Sequence, residues 1–168
     1  QSAELGHHEF FGTVWSQDGS SVALYCRHYQ SPHNWDGAVL HWKQAEPRIV
    51  RFRHPAHPVG GNPYRASKVA LSTDGRFVLL GFSEPEASLW VFETDTGKAV
   101  TKLDVSGSAV TFESFSPNGR LFATRVHDYK AERIILWDTN SWKKAVELPT
   151  KESFGGFVDA GKSFVTVE

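Results

Sequence analysis

The sequence predicts an all-β fold assembled from repeated four-stranded antiparallel sheets, and three observations predict it. Short apolar runs rich in Val, Ile, Leu, Phe and Trp recur along the chain, each bounded by Gly, Pro, Asn or Asp and too short for a helix of three turns. One turn signature, an apolar residue, then Ser or a substitute, two further residues and Gly, returns four times. Third, the runs Val22-Ala23-Leu24, Phe77-Val78-Leu79-Leu80 and Ile134-Ile135-Leu136-Trp137 are continuous instead of alternating, so both faces of each sheet must be covered.

The turn signature reads Trp15-Ser16-Gln17-Asp18-Gly19, Leu71-Ser72-Thr73-Asp74-Gly75, Phe115-Ser116-Pro117-Asn118-Gly119 and, in decayed form, Phe157-Val158-Asp159-Ala160-Gly161. Asp-Gly or Pro-Asn-Gly between two apolar runs is a hairpin with a mechanism, because Gly takes the positive φ that a branched side chain resists. From Gly19 to Gly75 to Gly119 to Gly161 the steps are 56, 44 and 42 residues. The two shorter steps suit one four-stranded blade each, and the first suits a blade with insertions. A second anchor follows in the same order: Val39-Leu40-His41-Trp42, Leu89-Trp90-Val91-Phe92 with Glu93, and Ile135-Leu136-Trp137-Asp138.

Taken in order, blade 1 is expected over about 8–54, with strands near 10–15, 21–26, 38–43 and 48–53. Blade 2, over 65–104, takes strands near 66–71, 76–82, 88–93 and 98–103. Blade 3, over 109–149, takes 110–115, 120–126, 133–138 and 144–148. A half blade over 153–168 ends with the strand at 163–167.

These residues resemble the WD-repeat β-propeller family over nearly the whole chain. In that family each repeat carries a Gly-His pair, a Ser-Pro-Asp-Gly hairpin and a terminal Trp-Asp. Here Gly6-His7-His8 precedes the first hairpin, Asp36 lies six residues before Trp42, and Trp137-Asp138 is a literal match. Gly61-Asn62 stands where the second repeat would have Gly-His, the third lacks the pair, and no repeat keeps the full set. The resemblance implies a hydrogen-bonded network inside the blade, for which His7, His8, Asp36, Trp42, Trp137 and Asp138 are the candidates. It also implies a ring of about seven blades, so three and a half form an incomplete one. Further blades from a longer polypeptide or a second chain are therefore expected as partners. The chain begins at Gln1 and is expected to be a processed or excised form.

Composition narrows the function. With 40% hydrophobic and 22% charged residues among 168, the chain folds and buries a core. A net charge of −1 supplies no basic field for nucleic acid or an anionic membrane. Cys26 is alone, which excludes an intrachain disulfide and a cysteine zinc site. No apolar run nears the roughly 20 residues of a membrane helix, so no membrane insertion is expected. A soluble protein follows, its compartment unassigned, with the cytoplasm slightly favoured.

Strand direction alternates, so the first-to-second and third-to-fourth turns share one face of a blade and the other loops share the opposite rim. The first set is short. The second comprises 27–37, 54–65, 82–87 and 126–133, and it concentrates Tyr29, His33, Trp35, His54, His57, Tyr64, Arg65 and Tyr129. Aromatic and Arg residues on loops of a rigid scaffold make a recognition patch for a protein or peptide. The plainer alternative is that Pro-rich loops pack on their own aromatics.

Catalytic and cofactor signals are weak. His54 and His57 lie three apart with His28 and His33 on the same rim, but Pro55 and Pro58 extend the backbone and no carboxylate has ligand spacing, so no metal or cofactor is expected. Ser16, Ser20 and Ser21 with a His and Asp36 have the residue types of a nucleophilic triad. Yet Ser16 belongs to the turn, and no Gly-x-Ser-x-Gly elbow exists. Glu84, Glu86 and Asp128 read as solubility, Arg51, Arg53, Lys143 and Lys144 as strand-edge protection, and Trp42, Trp90 and Trp137 as blade core. The expected function is a non-catalytic interaction scaffold. The alternative is the propeller domain of an enzyme, hydrolase-associated or metal-dependent through its His-rich loops.

Overall fold

The computed structural model describes residues 9–27, 36–43, 45–55, 66–82, 88–105, 109–127, 132–150 and 152–167. Among the described residues fourteen strands run in chain order. They are β1 (Glu9–Trp15), β2 (Ser21–Arg27), β3 (Gly37–His41), β4 (Arg48–Phe52), β5 (Ala66–Leu71), β6 (Phe77–Phe82), β7 (Ser88–Glu93), β8 (Ala99–Leu103), β9 (Ala109–Phe115), β10 (Leu121–His127), β11 (Glu132–Asp138), β12 (Lys143–Pro149), β13 (Ser153–Val158) and β14 (Ser163–Val167). Each successive four make one antiparallel meander, and β13 with β14 make a hairpin joined through a 3₁₀ turn at Asp159–Gly161. The architecture is thus all-β, with each expected strand found within two residues of its expected bounds and β3 ending two residues earlier than expected.

The repeats share their local chemistry. In each tight turn the Ser backbone accepts from Gly and donates to the first residue of the next strand or its neighbour: Gly19 to Ser16 at 2.9 Å, Gly75 to Ser72 at 2.8 Å, Gly119 to Ser116 at 2.8 Å. The three glycines sit at φ +64°, +71° and +70°, where a Cβ would be strained. Every first-to-second strand pair also carries one register shift, at Phe10/Gly12, Ala66/Lys68, Ala123/Thr124 and Phe154/Gly156. Such bulges bend and twist a strand locally.

The chain divides into two compact units, residues 1–102 and 103–168. In the first, the face of blade 1 bearing Ala23, Val39 and Phe52 packs on the face of blade 2 bearing Leu71, Val78, Leu80 and Phe92. Phe52 and Phe92 meet there at 5.5 Å between ring centroids. Gly97 lies where a Cβ would come within 2.5 Å of the Arg51 carbonyl, so the two blades touch backbone to backbone. In the second unit, Ala123, Ile134 and Leu136 of blade 3 pack against Phe154, Phe157 and Phe164 of the hairpin. Central strands are buried on both sides: adjacent Leu79 and Leu80, which point to opposite faces, are each fully buried. The outer strand β12 is exposed along most of its length.

Candidate functional site

The tight-turn face is polar and internally satisfied. Asp18 Oδ1 accepts from the Ser16 hydroxyl at 2.7 Å, the Ser20 hydroxyl at 2.7 Å and the Ser20 backbone N–H at 2.9 Å. Those bonds, the Ser20 backbone N–H foremost, hold its carboxyl down at about 2. In blade 2, Asp74 accepts from the Ser72 hydroxyl at 2.7 Å and the Arg76 backbone at 3.1 Å. Burial pushes Asp74 up, but the Ser72 hydroxyl and Arg76 outweigh it and its carboxyl lies below the usual range. In blade 3 the amide oxygen of Asn118 fills the same place, 2.8 Å from the Ser116 hydroxyl. Ser16, Ser20 and Ser21 are therefore turn and strand residues, and Ser21 Oγ lies 2.8 Å from His41 Nδ1 while His41 Nε2 lies 3.3 Å from the Thr94 carbonyl of blade 2. His41, part of the second anchor, links the two blades beside an Arg48–Asp95 ion pair.

Of the residues expected to form an in-blade network, Asp36, Trp42, Trp137 and Asp138 are among those described. The Trp137 indole N–H donates to Thr124 Oγ1 at 2.9 Å, both residues being buried. Asp138 stands outside that pair and caps the following turn, accepting from the backbone N–H groups of Ser141 at 2.8 Å and Asn140 at 3.1 Å. The Ser141 backbone bond is the chief reason its carboxyl lies below the ordinary value.

Trp42 requires a correction. It is not core: it lies past the end of β3, 40% exposed, with its ring 4.7 Å from that of Trp15 and its N–H donating to the Gly19 carbonyl at 2.7 Å. The reason is register. Val22 pairs with Leu40, as Val78 pairs with Phe92 and Phe122 with Trp137, so Leu40 holds the place that Trp137 holds in blade 3.

The long-loop rim is described at its roots. Asp36, 1% exposed, closes the 27–37 loop by donating its backbone N–H to the Phe52 carbonyl at 2.7 Å, and its Oδ2 accepts from the His54 backbone N–H at 2.7 Å. Both long loops of blade 1 are thus clasped together where they leave the sheet. His54 itself is 5% exposed, its ring edge-on to Phe82 at 4.8 Å and to Trp90 at 5.4 Å. That burial sets it apart from a solvent-facing contact residue. Tyr29, His33, Trp35, His57, Tyr64, Arg65, Tyr129, His7 and His8 lie outside the described residues, as do Glu84, Glu86 and Asp128.

At the same end of blade 3, a polar chain crosses three strands. His127 Nδ1 lies 2.9 Å from Glu132 Oε1, His127 Nε2 lies 3.4 Å from Thr111 Oγ1, and Glu113 lies 3.4 Å from both Thr111 Oγ1 and Arg125 Nε. His127 and Glu132 are directly opposed across β10 and β11, a pairing that stabilises a sheet, while Thr111 lies diagonal to His127 and Glu113 stands at the β9 bulge. Among the described residues no group of three or more His, Cys, Asp or Glu side chains is placed to hold a metal, and no helix is long and apolar enough to cross a membrane.

No protein-family profile and no curated protein sequence matches the chain. Solved structures do. The Dos1 propeller is 17% identical at a TM-score of 0.66, over 94% of this chain and 42% of its own. A putative TolB from Agrobacterium tumefaciens is 15% identical at 0.59, over 95% and 53%. The C-terminal WD40 domain of Sif2 is 15% identical at 0.57, over 87% and 38%. Two enzymes are matched as well, the hydrazine synthase of Kuenenia stuttgartiensis at 16% identity and the dihydro-heme d1 dehydrogenase NirN at 15%. At such identities the likeness defines the fold: the chain is built as a β-propeller of four-stranded antiparallel blades. It spans about half or less of the length of the Dos1, TolB and Sif2 chains, so the ring here is partial.

Proposed function

We propose that this chain is a non-catalytic, WD-repeat-like propeller scaffold that binds a protein or peptide through its long-loop rim. The observation that carries the reading is the clasp between Asp36 and His54, which sets the roots of two long, aromatic-rich loops side by side on a rigid double-faced sheet. Rigid presentation of aromatic and Arg side chains lowers the entropy cost of binding. The opposite face spends its side-chain oxygens on its own turns. Tyr29, His33, Trp35, His57, Tyr64, Arg65 and Tyr129 are the contact residues on this reading, and the buried His54 contributes its backbone bond to Asp36. Propellers of this kind mediate protein contacts through such loops.

The test is recovery of a partner by cross-linking with the wild-type chain, followed by affinity measurement on Trp35→Ala with Tyr64→Ala. A loss of about 30-fold or more, as for anchor residues worth ~2 kcal/mol, is expected with the circular dichroism melt unchanged. Unchanged affinity contradicts the rim assignment. The likeness to two enzymes favours a second reading, the propeller domain of an enzyme, and a stoichiometric metal in the purified protein that is lost on His57→Ala would move the assignment there.

A further inference from the structure

One asparagine of the chain is followed by glycine. Asn34, Asn62 and Asn140 precede Trp35, Pro63 and Ser141, whereas Asn118 precedes Gly119 in the tight turn of blade 3. With no Cβ on the following residue, little hinders its backbone nitrogen from turning on the side-chain amide carbon before it. The turn restrains both groups that such a reaction must bring together. The Gly119 N–H donates to the Ser116 carbonyl at 2.8 Å, and Asn118 Oδ1 accepts from the Ser116 hydroxyl at 2.8 Å and the Arg120 backbone N–H at 3.0 Å. Gly161 of the hairpin backs the side chain, since a Cβ there would stand 3.1 Å from Asn118 Cγ and Nδ2. Asn118 is nonetheless exposed, so water and hydroxide reach it.

Blades 1 and 2 show what an aspartate at that position would meet. Asp18 and Asp74 hold the same place in their turns. Each accepts from the preceding Ser16 or Ser72 hydroxyl at 2.7 Å and from the backbone N–H two residues on, at 2.9 Å in blade 1 and 3.1 Å in blade 2. An aspartate at 118 would therefore keep both bonds that the amide oxygen now accepts, and would add one negative charge to the turn.

We propose that Asn118 is a site of spontaneous deamidation in the folded protein, that opening of its turn gates the conversion, and that the fold accepts the aspartate produced. When the Gly119 N–H leaves the Ser116 carbonyl and gives its proton to hydroxide, the nitrogen attacks Asn118 Cγ. The new N–Cγ bond forms, the Cγ–Nδ2 bond breaks, and Nδ2 takes a proton from water and departs as ammonia, which restores the hydroxide. Water then opens the cyclic imide. Addition at Cγ leaves aspartate, and addition at the Asn118 backbone carbonyl leaves isoaspartate, which routes the chain through one extra carbon and displaces Gly119 from Ser116. The conversion involves neither the long loops nor their partner, so it stands apart from the rim reading.

Peptide mapping by mass spectrometry through a timed incubation in warm, mildly alkaline buffer, with and without denaturing guanidinium chloride, tests it. In the folded chain the mass gain of amide-to-acid conversion is expected at Asn118 ahead of Asn34, Asn62 and Asn140. In guanidinium the same conversion should run at least about tenfold faster, because the closed turn no longer restrains the reacting groups. Ser116→Ala, its fold verified by far-UV dichroism, removes the hydroxyl bond to Oδ1 and should convert at least about threefold faster than the folded wild type. A chain carrying Asn118→Asp should fold and melt close to the wild type near neutral pH. No conversion at Asn118 in the folded chain while the denatured chain converts, or equal rates in the two, would overturn the inference. So would a folded Ser116→Ala chain that converts no faster than wild type, or an Asn118→Asp chain that fails to fold.

Discussion

At the scale of the residue, the third position of each tight turn decides how the fold responds to acid. Asp18 and Asp74 are held below the ordinary carboxylate range, Asp18 at about 2 chiefly by the Ser20 backbone N–H and Asp74 by the Ser72 hydroxyl and Arg76 against the opposing pull of burial. A carboxylate depressed in the folded state stabilises it above the unfolded value near 4, and that contribution disappears as pH falls through the folded value. Asn118 makes the same contacts without a titrating group. Melting temperature should thus fall between about pH 4 and about pH 2, and Asp18→Asn with Asp74→Asn should flatten that part of the profile while leaving the melt near neutral pH little changed. Equal slopes in wild type and variant contradict this account. These turns were legible in the sequence because their hydrogen bonds close within five residues. The exposure of Trp15 and Trp42 was not, since it depends on how the strands pair and pack.

At the scale of the element, the blades share a backbone and differ in how they fill one position. Trp137 bonded to Thr124 in blade 3 is matched in register by Phe92 and Leu80 in blade 2 and by Leu40 and Leu24 in blade 1. A buried indole N–H must be paired, whereas two apolar side chains need nothing. Thr124→Val keeps the volume and removes the acceptor, so it should cost about 1–3 kcal/mol in urea unfolding. Thr124→Leu with Trp137→Phe, which copies blade 2, should recover about half of that or more. A neutral Thr124→Val would show that the bond contributes nothing. Strand positions were readable to within two residues from Gly spacing and apolar runs, because a blade repeats its period. Register was not: the insertion between β2 and β3 hid the fact that Leu40, not Trp42, occupies the Trp137 place. Likewise the bonding partners of His41 and Thr124 follow only from how the strands pair.

For the molecule as a whole, function follows from double coverage. When both faces of a sheet are buried, outside contact is left to connecting segments, which is why the rim is the place where a partner is proposed. The presence of the fold was legible from continuous apolar runs. The rim's composition was legible too, but not that His54 would turn inward between Phe82 and Trp90, because ring packing joins residues of separate blades. Double coverage is tested most directly at two adjacent positions of β6. Leu79 and Leu80 point to opposite faces and both are fully buried. Urea unfolding of Leu79→Asp and Leu80→Asp, measured separately, should show each losing at least about 3 kcal/mol or failing to fold, since either places an unpaired charge at a fully buried position. If one of the two unfolds at the wild-type midpoint, one side of that sheet faces water and the stacked-blade account is wrong.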